Sequence, residues 1–332
     1  LEVAKLFILT YLKNTMHKIF LVLLCAFLSI SMYACDACGC SIGGDSWGIS
    51  PNNYRHFAGI RFQYRTFHNS HPASLSGDAS EGMTSGDDYF MRAEVMGRFA
   101  LLPRLQLFGA LPYRYNERVE EGQTSIHNGI GDAALQLQWM VLKPGCNNWK
   151  HALQISAGGE APTGDFRFSH EVPVAMQPGS GSWDWMAGLN YTLRFKNAGF
   201  NIEGMRRFNG YTKGGYDWGN STSASSRIFA TLYSDSSSVW MPWIGVNAEY
   251  YETNIENMKY QIRAAYTDGH LITSNAGIDF YSDKFGISLE AGLPVISNLA
   301  EGYSTMKFHL GARILFFIQN KTINKNQKSN EK

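Results

Sequence analysis

The sequence predicts an all-β fold, a transmembrane antiparallel up-and-down barrel of about twelve strands with both termini on the periplasmic side. Three observations predict it. From residue 54 to 318 the 332-residue chain runs in long segments of strict apolar/polar alternation. The connections between segments are alternately very short and very long. Aromatic residues gather near both ends of the segments, where a bilayer has its interfaces.

Side chains two apart share a face of a strand, so each segment has one oily wall and one wet wall. Tyr89, Met91, Ala93, Val95, Phe99 and Leu101 fall on one face, and Arg92, Glu94, Met96 and Arg98 on the other. Leu135, Leu137, Trp139 and Val141 oppose Gln136 and Gln138, and Trp185, Leu189, Tyr191 and Phe195 oppose Asp184, Asn190, Thr192 and Arg194. This pattern predicts strands over 54–68, 88–101, 104–118, 130–143, 149–161, 183–196, 199–209, 225–234, 239–252, 271–282, 285–296 and 304–318. The connections at 102–103, 143–148, 196–198, 235–237 and 282–284 are short. Those at 69–87, 119–129, 162–182, 210–224 and 253–270 are long and rich in Gly, Ser, Asn and charge; 297–303 is brief. Short periplasmic turns and long outer loops are the asymmetry of bacterial outer-membrane barrels.

A soluble β-sandwich would alternate in the same way, because one face of each sheet is buried. Its strands usually run about five or six residues, whereas a tilted membrane strand needs about nine to eleven, and most segments here reach that length. Trp139, Phe195, Phe200, Trp240 and Phe316 lie toward the short turns, and Tyr64, Tyr113, Trp185 and Tyr250 toward the long loops. Two such groups match interfacial girdles in contact with outer-membrane lipid.

Charged residues make up 17% of the chain and the mean hydropathy is −0.22, values that exclude a helical membrane protein. The net charge of +1 gives no concentrated basic surface for nucleic acid. The one continuous apolar run, 19–30, is too short to span a bilayer as a helix and follows the basic Met16-His17-Lys18, as in a signal peptide. The expected organisation is therefore an upstream extension at 1–15, a signal peptide at 16–34, a cysteine-containing segment at 35–53, the barrel at 54–318 and a polar basic tail at 319–332.

Three stretches carry a family resemblance. They are Asn128-Gly-Ile-Gly-Asp132 leading into Ala133-Ala-Leu-Gln-Leu-Gln-Trp139, Gly158-Gly-Glu-Ala-Pro-Thr-Gly-Asp165, and Gln177-Pro-Gly-Ser-Gly-Ser-Trp-Asp184 leading into Met186-Ala-Gly-Leu-Asn-Tyr191. Together they resemble the outer-membrane barrel family named for the meta-cleavage pathway of phenol degradation, whose members carry Gly-Asp, Pro-Thr-Gly and Gly-Ser-Gly signatures on successive strands. The resemblance implies a porin-like or uptake barrel, loosely akin to the fatty-acid-transporter type. Read physically, Pro162, Thr163 and Gly164 end a ladder, since Pro cannot donate and Gly permits the turn into a long loop. Gly179 and Gly181 give the loop's return leg unusual backbone angles or let it fold close to the barrel mouth.

Cys35, Cys38 and Cys40 stand outside that family pattern. Three thiols within six residues suit Cu(I) or Zn(II). A disulfide, with Cys146 taking the leftover thiol, and acylation of Cys35 are the other open uses. The segment is also where a periplasmic partner would dock. No other cofactor is expected.

The polar faces supply Arg92, Glu94, Arg98, Glu160, Arg194, Glu203, Arg207, Arg227, Glu249, Asp279, Glu290, Lys307, His309 and Arg313 as lumen-lining residues. Signs are interleaved, so most are expected to pair and rigidify the lumen, while some set the selectivity of a path. Loop residues His68, His71, His127, His170, His270, Met176 and Met258 could bind metal at the outer mouth, but scattered loop imidazoles are more often simply solvated. Ser156 and His309 share inward parity without the neighbours of an activated nucleophile, so no catalysis is expected. The leading expectation is passage or uptake of a small solute, hydrophobic or aromatic solutes included, with loop 162–182 constricting the mouth. The alternatives are a metal-handling or partner-docking protein anchored by its barrel, and a structural or adhesive barrel.

Overall fold

The computed structural model describes residues 42–43, 48–49, 56–72, 83–145, 148–167, 174–212, 214–233, 238–257, 262–263 and 267–318. The expectations for 1–34, for Cys35, Cys38, Cys40 and Cys146, for His170 and Met258, and for the tail 319–332 lie outside them.

The described residues form a closed antiparallel barrel of twelve strands. In chain order these are β1 (His56–Pro72), β2 (Met83–Leu102), β3 (Leu105–Glu120), β4 (Gln123–Ile130 and Ala133–Leu142), β5 (Trp149–Ala161), β6 (Asp184–Phe195), β7 (Ala198–Phe208), β8 (Ser221–Ala230, continued by Leu232–Tyr233), β9 (Val239–Tyr251), β10 (Gly269–Tyr281), β11 (Phe285–Leu299) and β12 (Ser304–Ile318). Each strand pairs with its sequence neighbour, and β12 closes on β1 from Ser304 opposite Asn69 to Ile318 opposite His56. Closure leaves no edge strand, which a bilayer demands because lipid offers no hydrogen-bond partner. Besides the strands of the barrel, short pairings join Ile42–Gly43 to Gly48–Ile49 and Ile255–Asn257 to Ile262–Arg263.

The alternation reads out directly as two walls. On the outside Val95, Leu137, Trp139, Trp185, Ile244 and Leu293 are exposed, as are the girdle residues Phe195, Phe200, Trp240, Tyr250 and Phe316. An apolar surface this continuous is stable only against lipid. On the inside Glu94, Arg98, Gln136, Asn190, Thr192 and Arg313 are buried.

Several elements depart from the sequence expectation: β2 begins at Met83 rather than 88, and β8 runs from Ser221 to Ala230 rather than 225–234. The long loop expected at 119–129 is a hairpin instead: β3 and β4 pair from Glu120 opposite Gln123 to Tyr113 opposite Ile130. Its turn is Glu121-Gly122, both with positive φ (49° and 80°), the geometry that two-residue hairpins require and that glycine tolerates. Polar residues on both faces there hide the alternation. In addition β4 is interrupted at Gly131-Asp132, after which Ala134 pairs with Ala110. Pro112, on the opposing strand, cannot donate to a ladder, and its carbonyl accepts from the Gly131 N–H at 2.8 Å instead.

Lys307 is the other correction. It sits at a register shift between Met306, opposite Phe67, and Phe308, opposite Thr66. The extra residue moves Lys307 off the inward parity, as a β-bulge does. Its Nζ binds Asp87 Oδ1 at 2.8 Å, beside His68, whose Nδ1 lies 2.9 Å from the same oxygen, so these three form an exposed rim cluster away from the lumen.

Candidate functional site

The barrel interior is layered from the short-turn end to the long-loop end. At the short turns the inward residues are apolar. Phe57, Met96, Phe108 and Leu315 form one cluster and Phe229, Met241, Trp243 and Tyr281 another, with Phe317 packed against both. Cations cap this layer: the Arg98 guanidinium lies 4.8 Å from the Phe57 ring centre and that of Arg227 4.5 Å from Trp243. Arg194 stays at this end too, its Nε donating to the Lys196 carbonyl at 2.8 Å and fixing the β6–β7 turn, where Lys196 has φ 51°.

Above the apolar layer comes a band of charge. Arg61 Nη2 donates to Glu94 Oε1 at 2.9 Å, and Arg92 binds the second oxygen of the same fully buried carboxylate. Arg313 Nη2 donates to Ser288 Oγ at 2.7 Å, and Arg61, Arg227, Asp279, Glu290 and Arg313 surround a cavity of about 20 Å³. Glu203, Glu249, Glu290 and His309 border a second of about 40 Å³. On β4 and β5 the inward face carries amides: Gln154 donates to Gln138, Gln138 to Gln136, and Gln136 to Ser156 Oγ, at 3.0–3.1 Å. Ser156 is thus engaged by an amide, on a wall across the barrel from His309.

Toward the long loops the lumen widens into a vestibule of about 620 Å³. Its ion pairs are Arg65 with Glu249 (2.9 Å) and Arg207 with Glu160 (3.0 Å). Phe67, Phe90, Met205, Trp218 and Leu271 add apolar surface to the same space. At the rim Arg206 and Asn220 hold Glu252, and these bonds draw its carboxyl below the usual carboxylate range. Asp217, in the neighbouring loop, has its carboxyl pushed up by burial.

The described parts of the β5–β6 loop are 162–167 and 174–183; the second borders this vestibule from Val174 to Ser180, and the anchor of both is Asp132. This carboxylate is 1% exposed and accepts two backbone N–H groups, from Gly164 (2.8 Å) to one oxygen and from Ser180 (2.5 Å) to the other. Thr163 Oγ1 accepts from the Ala133 N–H at 2.9 Å and donates to the Gly131 carbonyl at 3.2 Å. The two legs of the loop touch where Gly164 meets Gly179: a Cβ on either would lie 2.6–2.7 Å from the other's backbone. Gly181 has φ 69°, which turns the chain into Ser182 and Asp184, and Asp184 Oδ1 accepts from Ser182 Oγ at 2.7 Å. Further in, Asn116 donates to the carbonyl of the fully buried Met176 at 2.9 Å, and Trp218 Nε1 donates to the Ser180 carbonyl at 2.8 Å. The Gly-Asp, Pro-Thr-Gly and Gly-Ser-Gly stretches, far apart in sequence, therefore meet at one buried carboxylate.

Sequence reasoning missed Asp132 as an anchor and missed Arg61, Arg65 and Arg114 among inward charges. The alternation contained the arginines, since Arg61 shares the parity of Phe57 and Arg114 that of Phe108. Asp132 could not be found that way, because the strand is broken there. Among the described residues no three His, Cys, Asp or Glu side chains converge as a metal site.

No family model and no curated protein matches the chain. Among solved structures, an outer-membrane channel from Pseudomonas putida F1 superposes with a TM-score of 0.57 at 11% identity, covering 87% of this chain and 100% of that one. The translocator domain of the autotransporter NalP from Neisseria meningitidis gives 0.40 at 8% identity, covering 81% and 90%. The KdgM porin gives 0.36 at 8% identity, covering 78% and 99%. The first likeness establishes the fold, a twelve-stranded barrel of the outer-membrane type.

Proposed function

We propose that this barrel admits a small solute across an outer membrane without chemistry, the solute entering the vestibule past the loop 162–183. The observation that carries the reading is that loop: it is fastened at both legs by Asp132, directly over a vestibule lined by paired charges and apolar side chains. A loop whose role was adhesion would have no need of a buried carboxylate holding it in the mouth. Selection then rests on loop shape and lumen charge. The mixture of Phe67, Phe90, Trp218 and Leu271 with arginines favours solutes having both an apolar body and a polar group. The meeting at Asp132 of the three signatures of the phenol meta-cleavage barrels supports membership of that family, which implies a porin-like or uptake barrel and names no solute. Reconstitution into planar bilayers and liposomes tests the proposal. Solute-dependent swelling or discrete conductance is expected, and sealed membranes at full incorporation would overturn it.

A further inference from the structure

The inward face of β2 and β3 contains an arrangement that the pairing network leaves incomplete. Arg92 and Arg114 are directly opposite one another across the two strands, both facing the vestibule. Like charges so placed repel and destabilise a ladder unless something neutral or anionic intervenes. Arg207, on β7, also acts on Arg114 electrostatically, so three guanidinium groups share one region of the wall. Two of them have carboxylate partners, Arg92 with Glu94 and Arg207 with Glu160. The third does not. Among the described residues Arg114 makes no hydrogen bond or ion pair, although Glu160, the partner of Arg207, also acts on it at longer range. The nearby Asp132, which also acts on Arg114, has each oxygen accepting a backbone N–H.

The surroundings keep Arg114 in place without satisfying it. A Cβ on Gly131 would lie 3.3 Å from Arg114 Nε and 3.0 Å from both the Pro112 ring and the Pro178 carbonyl. A side chain at Gly131 would therefore crowd the arginine beneath the loop's return leg. A guanidinium has five donors and no acceptor, and its fork matches a carboxylate. The vestibule it faces, about 620 Å³, is of the size that encloses small molecules, and Phe67, Phe90, Met205 and Leu271 supply apolar wall in the same space.

We propose that Arg114 is the anion-binding residue of a solute site in the vestibule, and that its ligand is a small organic monocarboxylate with an apolar body. The carboxylate sits on the Arg114 fork and relieves its repulsion with Arg92, while the body lies on the apolar wall. This rests on the passage reading for its route but not for its binding.

The test uses the purified full-length barrel in detergent, titrated calorimetrically with hexanoate, with its uncharged counterpart hexanamide and with chloride. Wild type is expected to bind hexanoate saturably and hexanamide far more weakly. Arg114→Gln should weaken hexanoate by about tenfold or more, the usual worth of a charge-assisted hydrogen bond. Arg114→Lys should recover part of that, since it restores the charge without the fork. Folding of each variant is checked by its migration on unheated gels. Absence of saturable hexanoate binding, equal binding of hexanamide, displacement of hexanoate by equimolar chloride, or an Arg114→Gln barrel that is folded and binds as tightly as wild type would each overturn the site. Liposome flux of the same solutes is read separately. Binding at Arg114 without flux refutes passage and leaves the site standing, whereas flux without binding does the reverse.

Discussion

Asp132 offers the most direct test of how the mouth is built. In an Asp132→Ala variant the Gly164 and Ser180 N–H groups lose a buried, charged acceptor. Hydrogen bonds to charged groups contribute about 1.5–3 kcal/mol each, so two of them give a lower figure of about 3 kcal/mol. Because about 1.4 kcal/mol is tenfold in an equilibrium constant, the loop's opening equilibrium should rise roughly a hundredfold or more. The barrel itself should persist, since its ladders do not involve this carboxylate. Hydrogen exchange resolved to the segment 161–183 reads the effect, with faster exchange of the Gly164 and Ser180 amides expected and little change in β9–β11. In bilayers the same variant should show noisier current. Unchanged exchange at these two amides in a folded barrel would refute the claim that Asp132 fastens the loop. Thr163→Val gives an independent, smaller effect, because it removes only the neutral bonds to Ala133 and Gly131.

Three other outcomes follow from the interior layers and the rim. Replacing Phe57 and Met96 together by alanine should widen the short-turn end and raise conductance; an unchanged current would mean that the apolar layer is not the constriction. Glu94→Gln removes the carboxylate shared by Arg61 and Arg92 and should destabilise the barrel by about 3 kcal/mol or more in urea unfolding, and a loss below about 1 kcal/mol would show the pair to be dispensable. At the rim the two loop carboxyls respond oppositely to acid. Glu252 titrates below its unfolded value, so its stabilisation is present above that value and is lost as pH falls through the folded one. Asp217 titrates above its unfolded value, so protonation relieves a cost already present at neutral pH, and its contribution improves as pH falls through the raised value. Limited proteolysis of loops 209–220 and 252–268 should therefore slow slightly on mild acidification and accelerate only at lower pH; a monotonic rise from neutral would contradict the Asp217 assignment, and no acceleration at low pH would contradict that of Glu252.

The barrel was legible because its signal is repeated many times over. β5 and β12 begin and end where alternation and turn residues place them, at 149–161 and 304–318. Each strand faces lipid and lumen in turn, so period two is enforced along its whole length. Legibility failed where one wall stops facing either. Residues 119–129 project past the apolar belt, both faces become polar, and the hairpin there is marked only by Glu121-Gly122. Lys307 failed for a different reason. A bulge shifts parity by one residue, and nothing in the local composition of Met306-Lys307-Phe308 announces it.

The site was legible in its parts but not in its assembly, and the reason is physical. Alternation reports which way a side chain points; it carries no information about which of the other inward residues lies at the same height on another strand. That height depends on strand tilt and register, so Arg207 meets Glu160 and Arg65 meets Glu249 across 47 and 184 residues of sequence. The same limit explains why three glycine-containing stretches looked like independent turn signals. β4 is interrupted opposite Pro112 at Gly131-Asp132, where Asp132 is buried, Gly164 and Gly179 allow two chain segments to touch, and Gly131 spares Arg114 a tight contact. A side chain at Gly164 or Gly179 would collide with the other leg, and one at Gly131 would crowd Arg114 and the Pro178 carbonyl. The glycines, the buried carboxylate and the uncommitted arginine are thus one construction, in which fastening the loop and exposing a cation to the vestibule depend on the same break in the barrel wall.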